Sequence, residues 1–325
     1  MTVIDGIDID EIQYTVNDIK LAIKNNDPIE DMFHVILVIS NPCMYGKRYK
    51  LMNEFVHRIE EEEDRVLLYV VELAYGDQSF FVTQSDNSRH LQIRTRTPLW
   101  HKENMINLAV QRLLPSNYKA FAWIDADIEF DSLSWATDAL KLLNGSKDVI
   151  QLFSHCVDMD ADKTTLRIFH GFGYSYSKQK EISHGGIDFW HPGFAWAMTR
   201  KAYEKMGGLY DKAILGSGDS IMALAFVRRV KSMHNKLYTK AYNDSMTEVE
   251  QNVSHLRLGY VPGVIRHYYH GSKQNRQYAE RWKILMKHAY SPDQVDYENG
   301  ILVPHFSEEF KEDIMQYFRD RKEDE

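Results

Sequence analysis

Two aspartates at the end of an apolar run are the residues of this chain best suited to chemistry. Residues 120–124 read AFAWI, and Asp125 and Asp127 follow directly. Such an apolar run is typical of a buried strand, and ligands of open α/β sheets bind beyond the carboxyl ends of the strands. Carboxylate oxygens at that edge suit Mg²⁺ or Mn²⁺, ions that commonly bind substrate phosphates. The spacing therefore predicts a divalent-metal site for a phosphate-containing ligand.

The Asp-x-Asp pattern is weak by itself, because most such pairs are solvated turns or helix caps. Only Asp125 and Asp127 have both a strong apolar strand before them and a helix-like segment after them. A third acid, Asp158, follows a strand-like run but continues into a polar loop. The pairs interpreted as structural are Asp8/Asp10, Asp158/Asp160 and Asp160/Asp162.

Cationic residues near two predicted element ends could bind the negative charge of such a ligand. The segment SNPCMYGKRYK follows the first core strand, and the first β–α loop of an open sheet lies at its ligand edge. Ser40, Pro42 and Arg48 are therefore candidate nucleotide-binding residues, against the simpler interpretation of a solvated helix start. Lys102 opens a predicted helix, where a cation opposes the helix dipole, so it either has an anionic partner or points into water.

A basic cluster lies late in the chain, between residues 264 and 283, on an otherwise acidic background. A nitrogen of His267 or His270 could complete a metal site, and Lys273 and Arg276 could bind diphosphate oxygens. For any one of these residues, a basic surface helix is the more common explanation.

Two acids are candidate proton acceptors. Asp219 lies just before an apolar helix, where a role as N-cap would need no other function. Asp188 lies in HGGIDFWHPGFAW, whose aromatic rings can stack on sugars and whose glycines let the backbone approach a ligand. The equal alternative is a glycine-rich loop with core aromatics.

Composition narrows the function classes. A net charge of −8 provides no global positive field, which argues against a dedicated nucleic-acid binder. The two cysteines cannot form a disulfide framework and fit a reducing compartment. The N-terminus lacks a basic region before an apolar core, and no apolar stretch reaches the roughly 20 residues of a membrane span. We therefore expect a soluble cytoplasmic protein without signal peptide or transmembrane segment.

Strand-like and helix-like segments alternate in the first half, which predicts an α/β fold with a Rossmann-like, mostly parallel sheet flanked by helices. We expect an N-terminal amphipathic helix extension (1–30), a main domain (31–290) and an acidic helical tail (291–325) that docks and then frays. The main domain divides into a nucleotide-binding half (31–148) and a mixed half (149–290). The terminal helices leave homo-oligomer formation open. Predicted helices are 9–24, 49–63, 102–114, 200–206 and 218–232; predicted strands are 34–40, 65–73, 79–85, 90–96, 120–124, 149–157, 165–170 and 194–199.

Taken in order, these segments resemble a glycosyltransferase of the GT-A fold. WHKENMINLAV followed by FAWIDADIEF resembles the helix and metal motif of the β-galactosyltransferase-like, family 2-like branch, in which an Arg precedes an Asn by five residues. Lys102 and Asn107 keep that spacing with Lys in place of Arg. FAWAMTRKAYEKMGGLYD resembles the Gly-Gly-Phe-Asp stretch of that branch. GSGDS keeps one acid, Asp219, of its Trp-Gly-Gly-Glu-Asp acceptor and base motif and has no Trp.

The resemblance implies inverting transfer from a nucleotide-sugar donor, with a UDP-sugar favoured, to a saccharide or glycan acceptor. Mn²⁺ or Mg²⁺ would be held by Asp127, with Asp125 as a further candidate, and by a late histidine. His270 is chosen over His267 because a flexible Gly-Ser-Lys turn follows it. Asp219 would deprotonate the acceptor hydroxyl, with Asp188 as the alternative base.

Two other functions stay open. A haloacid-dehalogenase-like phosphatase also uses Asp-x-Asp at a strand end, with the first Asp as nucleophile. It expects the motif near the N-terminus and Thr or Val two residues after the second Asp, where this chain has Glu129. A non-catalytic carbohydrate-binding protein would use the aromatic residues and not the acids.

Overall fold

The structure is a computed structural model, and it describes residues 2–25, 32–183, 189–272, 275 and 280–325. Its strands form a central sheet, a smaller second sheet and two hairpins. The strands are β1 (Thr2–Ile4), β2 (Ile7–Ile9), β3 (Phe33–Ser40), β4 (Val66–Tyr75), β5 (His90–Thr95), β6 (Ala120–Ile124), β7 (Ile128–Phe130), β8 (Val149–Gln151), β9 (His155–Met159), β10 (Thr165–Gly171), β11 (Trp190–His191), β12 (Ala195–Thr199), β13 (Leu258–Tyr260), β14 (Val264–His267), β15 (Val295–Glu298) and β16 (Ile301–Pro304). The helices are α1 (Val16–Asn25), α2 (Gly46–Glu62), α3 (Lys102–Arg112), α4 (Trp135–Leu143), α5 (Phe172–Ser177), α6 (Arg200–Met206), α7 (Gly218–Phe226), α8 (Lys240–Val253), α9 (Glu280–Lys287) and α10 (Glu308–Asp320), with short 3₁₀ turns at Val230–Met233 and Pro292–Gln294.

The central sheet has the strand order β13-β8-β12-β6-β3-β4-β5. Within the described part of the chain, β12 is its single strand that runs antiparallel to both neighbours. Alternate residues of β3 face opposite sides: Ile36 packs in the core covered by α3 and α7, and Val35 and Leu37 pack in the core covered by α2 and α4. Burial on both faces explains the nearly continuous apolar run of this strand. The predicted mostly parallel sheet flanked by helices is confirmed.

The second sheet has the order β11-β10-β9-β14-β7 and fixes the position of one histidine. Strand β14 lies between β9, which is parallel to it, and β7, which is antiparallel. His267 therefore pairs in register with Asp158 on one side and with Ile128 on the other. Because Ile128 directly follows Asp127 in the chain, this register brings His267 close to Asp127.

Most elements of the first half match the sequence prediction within a few residues, but the strand predicted over 79–85 is wrong. The backbone N–H groups of Phe81, Val82 and Thr83 donate to the carboxylate of Glu72 at 2.7, 3.0 and 2.8 Å. One buried side chain thus takes the place that a neighbouring strand would have, and the segment runs as a loop. Alternating apolar residues cannot distinguish these two cases.

The N-terminal helix begins later than predicted, and its apolar stripe faces outward. Ile9 belongs to β2 and is buried, whereas Val16, Ile19 and Ile23 of α1 are exposed. Helix α1 contacts the rest of the protein at Ala22, a small residue. The contact is close, because a Cβ on Gly145 would lie 2.5 Å from the Cα of Ala22. Among the described residues, no helix combines the length and the apolar character needed to cross a membrane.

The C-terminal helix docks through its apolar stripe as predicted, but the residues after it do not fray. Phe310, Ile314 and Phe318 of α10 are buried in the core. Beyond the helix, Arg321 and Glu323 are 6% and 0% exposed. Fraying is therefore the wrong prediction for residues 321–325, and the contacts responsible lie in the candidate site.

Candidate active site

The two acids of the Asp-x-Asp pair turn to different partners. Strand β6 ends at Ile124, and the backbone N–H of Asp125 donates to the carbonyl of Phe194 at 2.7 Å. Asp125 Oδ1 forms a salt bridge with Lys102 Nζ, at the first residue of α3. Asp127 lies on the other side, where its carbonyl accepts from the backbone N–H of Tyr268 at 2.8 Å. Asp125 thus contacts a lysine, and Asp127 contacts the segment that follows β14.

Lys102 lies among three acids. Although burial favours its neutral form, Asp125, Asp219 and Glu103 raise the pKa of Lys102 above its ordinary value. Burial raises the pKa of Asp125, and Lys102 beside it opposes that rise. The cation predicted to oppose the helix dipole therefore has its anionic partner within the chain.

Glu103, the residue after Lys102 in α3, is a buried acid of this group. It is 3% exposed, and burial raises its pKa to about 8, against the opposing effect of Lys102. Its carboxyl group fits because residue 218 is glycine: a Cβ there would lie 2.6 Å from the Glu103 carboxylate. Glu103 is thus a buried carboxyl group that carries a proton near neutral pH.

The raised pKa makes stability depend on pH with a definite sign. Between pH 4.5 and about 8, Glu103 keeps its proton in the folded protein but has lost it in the unfolded chain, where its pKa is the ordinary 4.5. The free energy of unfolding therefore falls as pH rises through that range. Glu103→Gln replaces the protonated acid by a group of the same shape. We expect the variant to equal the parent near pH 4.5 and to exceed it by about 3 kcal/mol at pH 7. Urea unfolding at several pH values measures this difference.

A matched control is Glu308→Gln, which changes an acid that is 89% exposed at the start of α10. The variant loses a first-turn interaction with the helix dipole, so its stability should differ from that of the parent by no more than about 1 kcal/mol, without the rise toward pH 8 expected for Glu103→Gln. A Glu103→Gln difference that does not vary with pH would contradict the assignment of the proton to Glu103.

Asp127, His267 and His270 form a cluster with metal-ligand geometry. Asp127 Oδ2 is 2.8 Å from His270 Nε2 and 3.7 Å from His267 Nε2, and one ligand atom from each of the three residues lies within 4.8 Å of the others. Burial alone would raise the pKa of Asp127, but His270 and His267 hold it well below its usual range. Asp127 Oδ1 is buried and has no hydrogen-bond partner among the described residues. A cation facing that oxygen would satisfy it, so the residues present fit a metal ion.

A second carboxylate orients His267. Asp158 is 2% exposed, and its Oδ1 lies 2.7 Å from His267 Nδ1. Its other oxygen accepts from Arg167 Nε at 2.9 Å. Because the Nδ1 side of the ring is occupied by Asp158, the Nε2 side is directed toward Asp127, as in carboxylate–histidine–metal arrangements.

These groups line one cavity of about 680 Å³, within the usual range for small-molecule sites. Its walls carry cations, acids and rings together. The cations are Arg48, Lys102, Arg167, Arg281 and Arg321, and the rings include Trp100, Phe169, Phe172, Phe189, Trp190 and His191.

Asp219 also lines the cavity, but it is not a helix cap. The N-cap of α7 is Ser217, and Asp219 lies in the first turn, where its Oδ1 accepts from the backbone N–H of Ser220 at 2.7 Å. Gly193 leaves space for the other oxygen, since a Cβ at that position would lie 3.0 Å from Asp219 Oδ2. Because Gly193 has no side chain, the carboxylate of Asp219 has room at the wall of the cavity.

The remaining predicted residues have mixed positions. Ser40 and Arg48 line the cavity, and Arg48 Nη1 donates to Glu323 at 3.1 Å. Pro42 is not among the described lining residues, and its carbonyl accepts from Gln78 at 3.3 Å. Asp125 lies outside the three-residue cluster, so its role as a metal ligand stays a prediction. Asp188, Lys273 and Arg276 lie outside the described residues.

The sequence reasoning did not identify Glu103, Asp158 or Glu323 as site residues. For Asp158 a signal existed, because it follows a strand-like run in the same way as Asp125. For Glu323 no local signal existed, since its partners are distant in sequence.

No protein-family model and no curated protein matches the sequence. Its fold is similar to solved structures of GT-A glycosyltransferases. The catalytic domain of Drosophila β-1,4-galactosyltransferase 7 in complex with xylobiose is 12% identical, with 82% of this chain and 85% of that chain covered and a TM-score of 0.39. A mutant of the same enzyme with manganese, UDP-Gal and xylobiose is 10% identical over 82% and 86% of the two chains, with a TM-score of 0.39. TarS 1–349 of S. aureus is 10% identical over 89% and 71%, with a TM-score of 0.40.

Proposed function

We propose that this protein is a metal-dependent glycosyltransferase. It moves a sugar from a nucleotide-diphosphate donor, with a UDP-sugar favoured, to a hydroxyl of a saccharide or glycan, and it inverts the anomeric centre. The observation that carries the proposal is the cluster of Asp127, His267 and His270 at the end of β6, in one cavity with Asp219. A single displacement needs both a centre that binds the leaving diphosphate and a separate carboxylate that accepts a proton.

The metal would be held by Asp127, His267 and His270. A divalent cation bound there supplies positive charge to the departing diphosphate. Two imidazole nitrogens and one carboxylate oxygen favour Mn²⁺ over Mg²⁺, because Mg²⁺ prefers an all-oxygen octahedron that includes several waters.

Cavity-lining guanidinium groups are the candidates for binding the diphosphate oxygens. Arg321 lies over the ring of Trp100 at 5.2 Å, and a Cβ at Gly216 would lie 3.1 Å from Arg281 Nη1. Planar guanidinium groups bind phosphate oxygens in pairs, and this geometry suits a diphosphate. Lys273 and Arg276, between His270 and α9, remain predicted contributors.

Asp219 acts as the base in this proposal. The acceptor oxygen attacks the anomeric carbon and its proton passes to Asp219, while the bond from that carbon to the diphosphate oxygen breaks. The electron pair leaves with the nucleoside diphosphate, so one bond forms and one breaks with inversion. Asp188 stays the alternative base.

A ligand screen by thermal unfolding tests the function. We expect a UDP-sugar with Mn²⁺ to stabilise the protein more than GDP-, CDP- or dTDP-sugars, and Mn²⁺ alone to stabilise it more than Mg²⁺ alone. A ligand at 100 times its dissociation constant adds about 2.7 kcal/mol to the free energy of unfolding.

Three results would contradict the proposal. If no cation and no activated sugar stabilises the protein, the proposed donor site is excluded. A trapped aspartyl-phosphate with phosphate-ester hydrolysis would indicate the phosphatase. Saccharide binding independent of metal and nucleotide would indicate a carbohydrate-binding protein.

A further inference from the structure

Each histidine of the cluster has a second carboxylate near its Nδ1 atom. His267 and His270 both direct Nε2 toward Asp127 Oδ2. On the opposite side of each ring, His267 Nδ1 is 2.7 Å from Asp158 Oδ1, and His270 Nδ1 is 3.8 Å from Glu323 Oε2. A carboxylate in that position fixes the orientation and tautomer of a metal-binding imidazole and raises its basicity. Asp127 is thus faced by two histidines, and each of them has another carboxylate near its Nδ1 atom.

We infer that Glu323 is a positioning residue for His270, and that residues 321–325 are therefore part of the metal centre. The inference rests on the proposed function because it concerns the same site. It adds a residue that lies at the opposite end of the sequence from the nucleotide-binding half.

Glu323 is held as a buried anion. It is 0% exposed, and its carboxylate accepts from Arg48 Nη1 at 3.1 Å and from Arg321 Nε at 2.5 Å. Two guanidinium groups on one buried carboxylate favour its charged form. The group is thus ionised and able to accept a proton from an imidazole N–H. A movement of under about 1 Å converts its 3.8 Å separation from His270 into a hydrogen bond.

Backbone contacts hold the segment in place. The carboxylate of Asp324 accepts from the N–H groups of Gly46 and Lys47 at 3.0 and 2.8 Å, at the start of α2. An anion is favoured at a helix N-terminus. The hydroxyl of Tyr45 donates to the carbonyl of Arg319 at 2.8 Å and accepts from the N–H of Lys322 at 3.1 Å. The segment is therefore attached to the loop between β3 and α2.

The residue after His270 allows the close approach of the two segments. Gly271 has φ +90°, a conformation that side chains rarely adopt, and a Cβ there would lie 3.2 Å from the Cα of Glu323 and 3.2 Å from the carbonyl oxygen of Lys322. Gly271, the first residue of the turn predicted to be flexible, is thus packed against residues 321–323.

The test is the Mn²⁺ affinity of the full chain, measured by calorimetry. We expect Glu323→Gln to raise the dissociation constant about 10- to 100-fold, the range for residues behind metal ligands. The matched control is Glu325→Gln, which changes an exposed acid of the same segment paired with Lys322 at 3.0 Å. It should bind Mn²⁺ as the parent does.

A double-mutant cycle separates positioning from general structural support. If Glu323 acts through His270, then Glu323→Gln has no further effect on Mn²⁺ affinity in a His270→Ala background. Equal losses in both backgrounds would overturn the inference. If Glu323→Gln does not fold by circular dichroism, Glu323→Asp keeps the charge but shortens the side chain, and we expect it to weaken Mn²⁺ binding as well.

The outcomes also separate the inference from the proposed function. A parent protein that binds Mn²⁺, with a Glu323→Gln variant of equal affinity, overturns the inference and leaves the metal site intact. A parent protein that binds no Mn²⁺ overturns both.

Discussion

Replacing Asp127 with asparagine is expected to abolish metal-dependent sugar transfer. Asp127 is the only carboxylate of the described three-residue cluster, and Asp127 Oδ2 faces both histidines. Asparagine keeps the shape of the side chain but removes the charge that a divalent cation requires. We expect the turnover number to fall at least about 10³-fold, which corresponds to about 4 kcal/mol of transition-state stabilisation. A donor-consumption assay measures the fall, and calorimetry should show that Mn²⁺ binding is lost with it.

The matched control for this change is Asp160→Asn. Asp160 belongs to another Asp-x-Asp pair, but it is half-buried beside a turn, where its carboxylate accepts from the N–H of Thr164 at 2.9 Å. Its turnover number should equal that of the parent. An Asp127→Asn variant that folds and keeps full activity would exclude Asp127 as a metal ligand.

The parts of the fold that were predictable have local causes. Strands β3 and β6 are buried on both faces, so their sequences read as continuous apolar runs. The segment over 79–85 was not predictable, because its backbone hydrogen bonds go to the side chain of Glu72. A side-chain acceptor elsewhere in the chain leaves no trace in the local pattern.

Some residues of the candidate site were also predictable from local sequence, and others were not. An apolar strand that ends in Asp-x-Asp led to Asp127, and the loop after β14 led to His270. His267 also faces Asp127 because of the register of β14 between β7 and β9, which a single sequence does not contain. The partner of Arg48 is Glu323, 275 positions away, so local periodicity indicated a solvated chain end where the fold has a buried ion pair.

Replacing Asp219 with asparagine is expected to stop turnover without weakening donor binding. Asp219 lines the cavity but lies outside the metal cluster, and Gly193 opposite it leaves room beside its second oxygen. Asparagine cannot take the proton of the acceptor hydroxyl. We therefore expect the turnover number to fall about 10²- to 10⁴-fold, the range for loss of a general base. Calorimetry should give parent-like dissociation constants for Mn²⁺ and for the nucleotide-sugar, which distinguishes this variant from Asp127→Asn.

Asp138→Asn is the control, because Asp138 is a first-turn acid of α4 that lies outside the described cavity lining. Both variants lose a favourable interaction with a helix N-terminus, worth about 0.3–1 kcal/mol, so they should unfold at similar temperatures. The two should differ in turnover alone. If Asp219→Asn keeps its turnover number while Asp188→Asn loses it, the base is Asp188, because an acid that must accept the proton cannot be replaced by an amide without that loss.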